Sequence, residues 1–279
     1  MKKLTSIICL ALCAMLCLSG IAFAESATPN VDAIKAAGKI VMLTNAAFPP
    51  FEYLGDELKE DGTAKVVGVD ADIAAEIAKD LGVELEIVDM DFDGIILAVQ
   101  SGKGDFGAAG MTVKPEREEM VNFSIKYVKS SQYIMVKAGS EIKTAADLEG
   151  KTIGVQQGTT GDFFATDEIA GSNVMRYKDA VTASMDLANG RIDAVITDEL
   201  PAKSIVASNE ALVLIDEVLT EEEYAIAVAK EKTDLLEAIN KTLSRLQEEG
   251  KIELFINTHM GLAAPVESAA PEATAAPAK

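Results

Sequence analysis

Between residues 39 and 109 short apolar runs alternate with amphipathic stretches, and this alternation limits the fold more than any other feature of the chain. The run KIVMLT (39–44) reads as a buried strand. Residues 70–81 place Ile73, Ile77 and Leu81 at four-residue spacing before Gly82, which predicts an amphipathic helix. Val83, Leu85 and Ile87 alternate with acidic residues as in a half-buried strand. The segment DFDG (91–94) opens a second helix carrying Ile95, Ile96 and Val99, and 105–109 form the next strand. Strand, helix, strand, helix, strand is the order of a parallel sheet with crossover helices, an α/β architecture. Such sheets hold ligands beyond the carboxyl ends of their strands. Asn45, Phe92 and Thr112 each follow a strand end, so they are placed to line one crevice.

A second unit of the same kind follows. Strands are expected at 132–136, 151–155, 192–196, 212–215 and 224–229, with helices at 144–148 and 180–189 and a long one at 234–249. That last helix turns Leu235, Ile239, Leu243 and Leu246 inward. The loop QQGTTG (156–161) opens a helix with Thr160 as its expected N-cap, and its N–H groups form an anion seat. Asp198 closes an apolar strand, where an acid faces either solvent or a cleft. Residues 26–31 read as a polar lead-in and 55–65 as a polar hairpin. Pro49 and Pro50 hold the chain extended, presenting Phe51 to the core and Phe48 to either the core or a ligand. The segments 98–106 and 186–194 echo each other as helix end, glycine, base, Asp and strand, which suits two lobes of like construction.

The stretch GAAGMTVKPER (107–117) carries the most chemistry. Small residues let a ligand reach backbone groups. Arg117, beside the turn, offers a planar fork of donors that matches a carboxylate. A pocket for a small carboxylate follows; an ordinary turn with a solvated arginine is the alternative.

The ends of the chain read differently from its middle. Lys2 and Lys3, an apolar run and Ala22-Phe23-Ala24 make a secretory signal peptide over 1–24, too short in its apolar core for a bilayer of ~30 Å. Cys9, Cys13 and Cys17 all lie within it, none in the context that lipidation requires, so the mature chain is expected to have no disulfide, no thiolate nucleophile and no cysteine metal site. Residues 261–279 form an Ala/Pro-rich tail read as disordered. The net charge of −20 argues against nucleic acid and for a soluble monomer.

Taken in order, FPPFEY (48–53), GVDADIAAEIAKDLG (68–82), DFDGIILAVQSGKGDFGAAGMTVKPERE (91–118), DLEGKTIGVQQGTTG (147–161) and NGRIDAVITDE (189–199) resemble the extracellular solute-binding proteins of polar amino-acid ABC transporters, family 3. The resemblance implies the type II periplasmic-binding-protein fold, two sheet-and-helix lobes joined by a two-strand hinge. It places lobe 1 at 31–128 plus 225–260 and lobe 2 at 129–224, with crossings near 129–131 and 222–224. It implies an inner-membrane permease as partner; no catalytic residue, cofactor or metal is expected of a mature chain without cysteine or His-rich spacing, and a cleaved chain without a lipid anchor suits a periplasmic location. Carried over residue by residue, Arg117 matches the grip on the ligand's α-carboxylate. Thr112 and the Gly110 backbone, with Met111 between them, match the lobe 1 contacts, and Thr159 and Thr160 the lobe 2 carboxylate seat. Asp198 matches the partner of the α-ammonium, and Phe48 and Phe92 match the walls beside the ligand's side chain. Asn45, Asp70 and Gln156 match positions that tune specificity. Neutral Asn45 and Gln156 favour a neutral polar ligand such as glutamine, with histidine, cystine or, through Asp70, a basic amino acid as alternatives.

Two other classes compete. An enzyme on the same scaffold, such as a prephenate- or arogenate-type dehydratase, needs a poised acid or base in the cleft. The one histidine, His259, reads as a surface residue beyond the last helix. A sensor-type binding protein is the other reading.

Overall fold

The computed structural model describes residues 28–261; the expected signal peptide and the Ala/Pro-rich tail beyond Gly261 lie outside the described residues. The chain opens with helix α1 (Pro29–Ala37) and strand β1 (Lys39–Thr44), followed by the short strands β2 (Ala47–Phe48), β3 (Glu52–Leu58) and β4 (Ala64–Val67). Helix α2 (Val69–Leu81), β5 (Glu84–Asp89), a 3-10 turn at Phe92–Gly94, α3 (Ile95–Gln100), β6 (Phe106–Gly107), α4 (Pro115–Glu118) and β7 (Asn122–Phe123) come next. Strands β5, β1 and β6 are parallel neighbours, as the alternation predicts, and β2, β3 and β4 form a separate antiparallel meander.

The second sheet contains β8 (Val128–Lys137), β9 (Thr152–Gln156), β10 (Asn173–Tyr177), β11 (Ala194–Asp198), β12 (Leu212–Leu214) and β13 (Thr220–Tyr224). Its order is β10-β9-β11-β8-β12, with β13 also paired to β8. The expected helix at 144–148 is a 3-10 turn at Ala145–Leu148. Helices α5 (Thr160–Asp167), α6 (Ala180–Ala188) and α7 (Glu199–Ala207) pack against this sheet. The chain then returns to the first sheet through β14 (Ala227–Val228), antiparallel to both β6 and β7, and ends in α8 (Thr233–Glu248) and α9 (Lys251–His259).

Amphipathic pairing closes the first core. Leu235, Ile239, Leu243 and Leu246 of α8 are fully buried in one cluster with Ile73 and Ile77 of α2. Each such side chain contributes ~1.5–3 kcal/mol by leaving water.

Several sequence expectations are corrected here. The single strand expected at 224–229 is two strands in different sheets: Tyr224 pairs with Val128, whereas Ala227 and Val228 pair with β6 and β7. All six residues are buried, so no alternation marks the crossing. The polar lead-in runs into α1, docked by the Asp234 carboxylate, which accepts from the Asn30 and Val31 N–H groups at 2.9 Å. Helix α7 starts directly after Asp198, and α9 extends the fold past the expected last helix. His259 lies at the end of α9, half-buried, 2.8 Å from Asp72 and 3.0 Å from the Tyr53 hydroxyl, and is not a surface residue of the tail. The N-cap of α5 is Thr159, not Thr160: its hydroxyl accepts from the Asp162 N–H.

Candidate ligand-binding cleft

The ends of β1, β6 and β11 and the start of α5 converge on a cavity between the two sheets. It encloses about 300 Å³ of space free of protein atoms. Its walls touch across the gap, through hydrogen bonds from Arg117 to Gly158, Gln156 to Asn45 and Gln157 to Asp93. Asn45, Phe48, Phe92, Gly110, Thr112 and Arg117 line it from the first sheet's side, together with Ala109 and Glu52, which sequence reasoning missed. Gln156, Thr159, Thr160 and Asp198 line it from the other.

Two predicted residues are not in the lining. Met111 is buried in the apolar cluster around Ile95 and Val99. Asp70, in the first turn of α2, stands behind the wall: one carboxylate oxygen accepts from the Gly110 N–H at 2.9 Å and the other from the Tyr127 hydroxyl at 2.7 Å. Its work is to hold the turn that presents Gly110. Gly110 has φ +52°, and a Cβ there would lie 2.6 Å from the Phe48 ring, so only glycine fits.

Arg117 is buried in α4, whose first residue is Pro115. Its guanidinium donates to the Thr112 carbonyl at 2.7 Å and, across the cleft, to the Gly158 carbonyl at 3.0 Å; its Cζ lies 5.4 Å from the centre of the Phe92 ring. Burial pulls its pKa down while Glu222 and Asp198 push it back up. An arginine so placed stays charged. Thr112 donates its hydroxyl proton to Glu222 on β13, which leaves the oxygen free to accept from a ligand's ammonium.

Asp198 closes β11 with its side chain buried. The Tyr224 hydroxyl donates to it, and Ser130 donates from 3.3 Å. Burial first, then the charge of Glu222, raise its pKa well above the ordinary carboxylate range, against the pull of its donors. Opposite Arg117, the first turn of α5 leaves N–H groups without helical acceptors, an anion seat set by the Thr159 cap. Gln132 donates to the Thr160 hydroxyl at 3.1 Å and so fixes it.

Asn45 and Gln156 meet each other. The Gln156 amide donates to Asn45 Oδ1 at 2.8 Å and to the Lys178 carbonyl at 3.0 Å, while the Asn45 amide donates to the Met90 carbonyl. Gln157 donates to Asp93 across the same gap.

Glu52 is the residue with no such partners. It is fully buried at the start of β3, and neither carboxyl oxygen has a hydrogen-bond partner among the described residues. Burial first, then Asp70, Asp198 and Asp89, push its pKa well up. No local sequence signal marks it: Glu52 reaches the cleft only because it pairs directly with Phe48 across β2 and β3, and cross-strand partners share a face.

Residues 40–261 match the model of the bacterial extracellular solute-binding proteins, family 3. The L-cystine-binding protein TcyJ of Escherichia coli is 31% identical over 234 residues, covering 83% of this chain and 86% of its own. The arginine-bound form of truncated ArgBP from T. maritima superposes with TM-score 0.72 at 44% identity, covering 77% of this chain and 99% of its own. An ancestral arginine-binding protein bound to glutamine superposes with TM-score 0.73 at 40% identity, covering 80% and 98%. These relatives are binding proteins and not enzymes. With its two sheet-and-helix lobes around a cleft, the chain belongs to family 3 of the bacterial extracellular solute-binding proteins, the type II periplasmic-binding-protein fold that serves amino-acid ABC transporters.

Proposed function

We propose that this protein captures an L-amino acid with a cationic side chain, arginine first. Glu52 carries the reading. Among the described residues lining the cavity, Arg117 is the only basic one, whereas Glu52 and Asp198 line it and Asp70 and Glu222 stand directly behind. Arg117 and the start of α5 take the α-carboxylate, and Asp198 with Thr112 takes the α-ammonium. That leaves Glu52, buried and unpaired, for a second positive charge. An unpaired buried carboxyl is costly until a donor reaches it.

The sequence-based preference for glutamine rested on Asn45 and Gln156, whose amides are occupied by each other and by backbone carbonyls. Glutamine stays as the second reading, supported by the glutamine-bound ancestral relative. The drawn-in walls require the lobes, 31–128 plus 225–260 and 129–224, to part for entry. The ligand then selects the closed state by binding both faces at once. The closed monomer, secreted to the periplasm through a signal peptide cut after Ala24, delivers the ligand to an inner-membrane permease.

A thermal-shift screen of the mature protein over the twenty amino acids tests this. A ligand that binds only the folded state raises its midpoint. Arginine is expected to give the largest rise; a larger rise with glutamine moves the assignment to the second reading.

A further inference from the structure

An ionised carboxylate without donors is not sustained away from water; the group takes up a proton instead. Glu52 is in that position, at 0% exposure with both oxygens unpartnered among the described residues. The charged groups facing it are acids: Asp70 from α2, Asp198 from the end of β11 and Asp89 from β5. Tyr127, at the entry to β8, contributes a hydroxyl already given to Asp70, and Phe48 opposite on β2 is apolar. Arg117 is committed to the Thr112 and Gly158 carbonyls and responds to Glu222, Asp198 and Glu116. Asp70 is placed to accept a Glu52 proton, short of full hydrogen-bond geometry. With two donors of its own, Asp70 is the better site for the charge, and Glu52 for the proton.

We propose that Glu52 is a proton-exchanging specificity residue, neutral in the empty cleft, ionised beneath a cationic side chain and still protonated beneath a neutral amide. The first part rests on the arginine reading above. When a guanidinium docks, the Glu52 proton passes to solvent and the guanidinium takes its place, so the cleft exchanges one positive charge for another. When glutamine docks, the carboxylic O–H is kept and donates to the amide carbonyl. Because the arginine complex holds fewer protons than the empty protein, arginine binds more tightly as pH rises between the bound and empty pKa values of Glu52. Glutamine lacks that dependence, so the selectivity for arginine increases with pH.

Calorimetric titrations of the mature protein with L-arginine and L-glutamine, each in buffers of different ionisation enthalpy at one pH near neutrality, count the protons. Both ligands bring the same α-ammonium to Asp198, so the difference between them isolates Glu52. The expected difference is about one proton more released with arginine. In Glu52→Gln the difference should vanish, with arginine affinity lowered ~10²-fold or more. If that variant does not fold, the wild-type difference still decides. Equal proton counts, with arginine bound, overturn this inference alone. Failure of arginine to bind overturns the cationic reading and this inference together.

Discussion

The Tyr224 hydroxyl donates a hydrogen bond to the Asp198 carboxylate, joining the last residue of β13, just before the chain crosses to the first sheet, to the end of β11 in the same second sheet. Tyr224 also bridges to Thr112 and meets the edge of Phe51 at 5.1 Å between ring centres. Through its hydroxyl, its ring and its backbone, Tyr224 thus ties Asp198, the proposed partner of the α-ammonium, to the core and to Thr112. Tyr224→Phe keeps the ring packing and removes only the donor. Hydrogen bonds to charged groups are worth ~1.5–3 kcal/mol, so amino-acid affinity is expected to fall ~10- to 100-fold in calorimetry with little loss of fold.

Arg117→Lys tests the carboxylate grip. A lysine ammonium has no planar fork, so it cannot hold the Thr112 and Gly158 carbonyls while pairing with two carboxylate oxygens. Affinity for every amino acid should drop by ~10²-fold, because the α-carboxylate is common to all of them. Retained affinity, measured by calorimetry on the folded variant, removes Arg117 from the site.

The empty protein should lose stability as pH rises through the weakly acidic range. Asp70 has a folded pKa of about 6 against its ordinary 3.8, raised by burial. Between those values the folded chain holds the proton that the unfolded chain has lost, so stability is fully present below the lower value and falls as pH rises toward the higher. The loss from Asp70 is on the order of 3 kcal/mol, and Asp198, raised in the same direction, adds to it. At lower pH the opposite group takes over: Asp80 and Asp234, held below their ordinary values, lose their contribution when protonated. Denaturant titrations across pH should show a maximum on the acidic side for the empty protein, and saturating ligand should flatten its neutral flank.

Gly110→Ala is expected to cost ~1–3 kcal/mol and most of the binding. Its φ of +52° strains any side chain, and the new Cβ would press on the Phe48 ring at 2.6 Å. Melting curves and titrations separate the two losses.

The sequence carried the sheets and most of the cleft because both follow local rules. Strand ends, helix starts and glycine turns are visible in one dimension, and they place Asn45, Thr112, Arg117 and Asp198 where a parallel sheet presents its ligand. What escaped depends on pairing across distance. Glu52 looks like any surface acid until β3 lies against β2 and turns it beside Phe48. Asp70 looks like a ligand contact until Gly110 and Tyr127 occupy its oxygens. Asn45 and Gln156, 111 positions apart, favour a neutral ligand only while their mutual hydrogen bond is unseen. The break between β13 and β14 was hidden for the same reason, since every residue across it is buried.

In the proposed site the buried Glu52 carboxyl reads positive charge on the ligand's side chain. Arginine and citrulline have nearly the same shape and differ in that charge, so their dissociation constants, measured side by side by calorimetry near neutral pH, test it most directly. Arginine should bind more tightly by ~10-fold or more, the margin of a charge-assisted pair over the neutral hydrogen bond that citrulline's carbonyl would accept from the Glu52 O–H. Equal affinities for the two would contradict it.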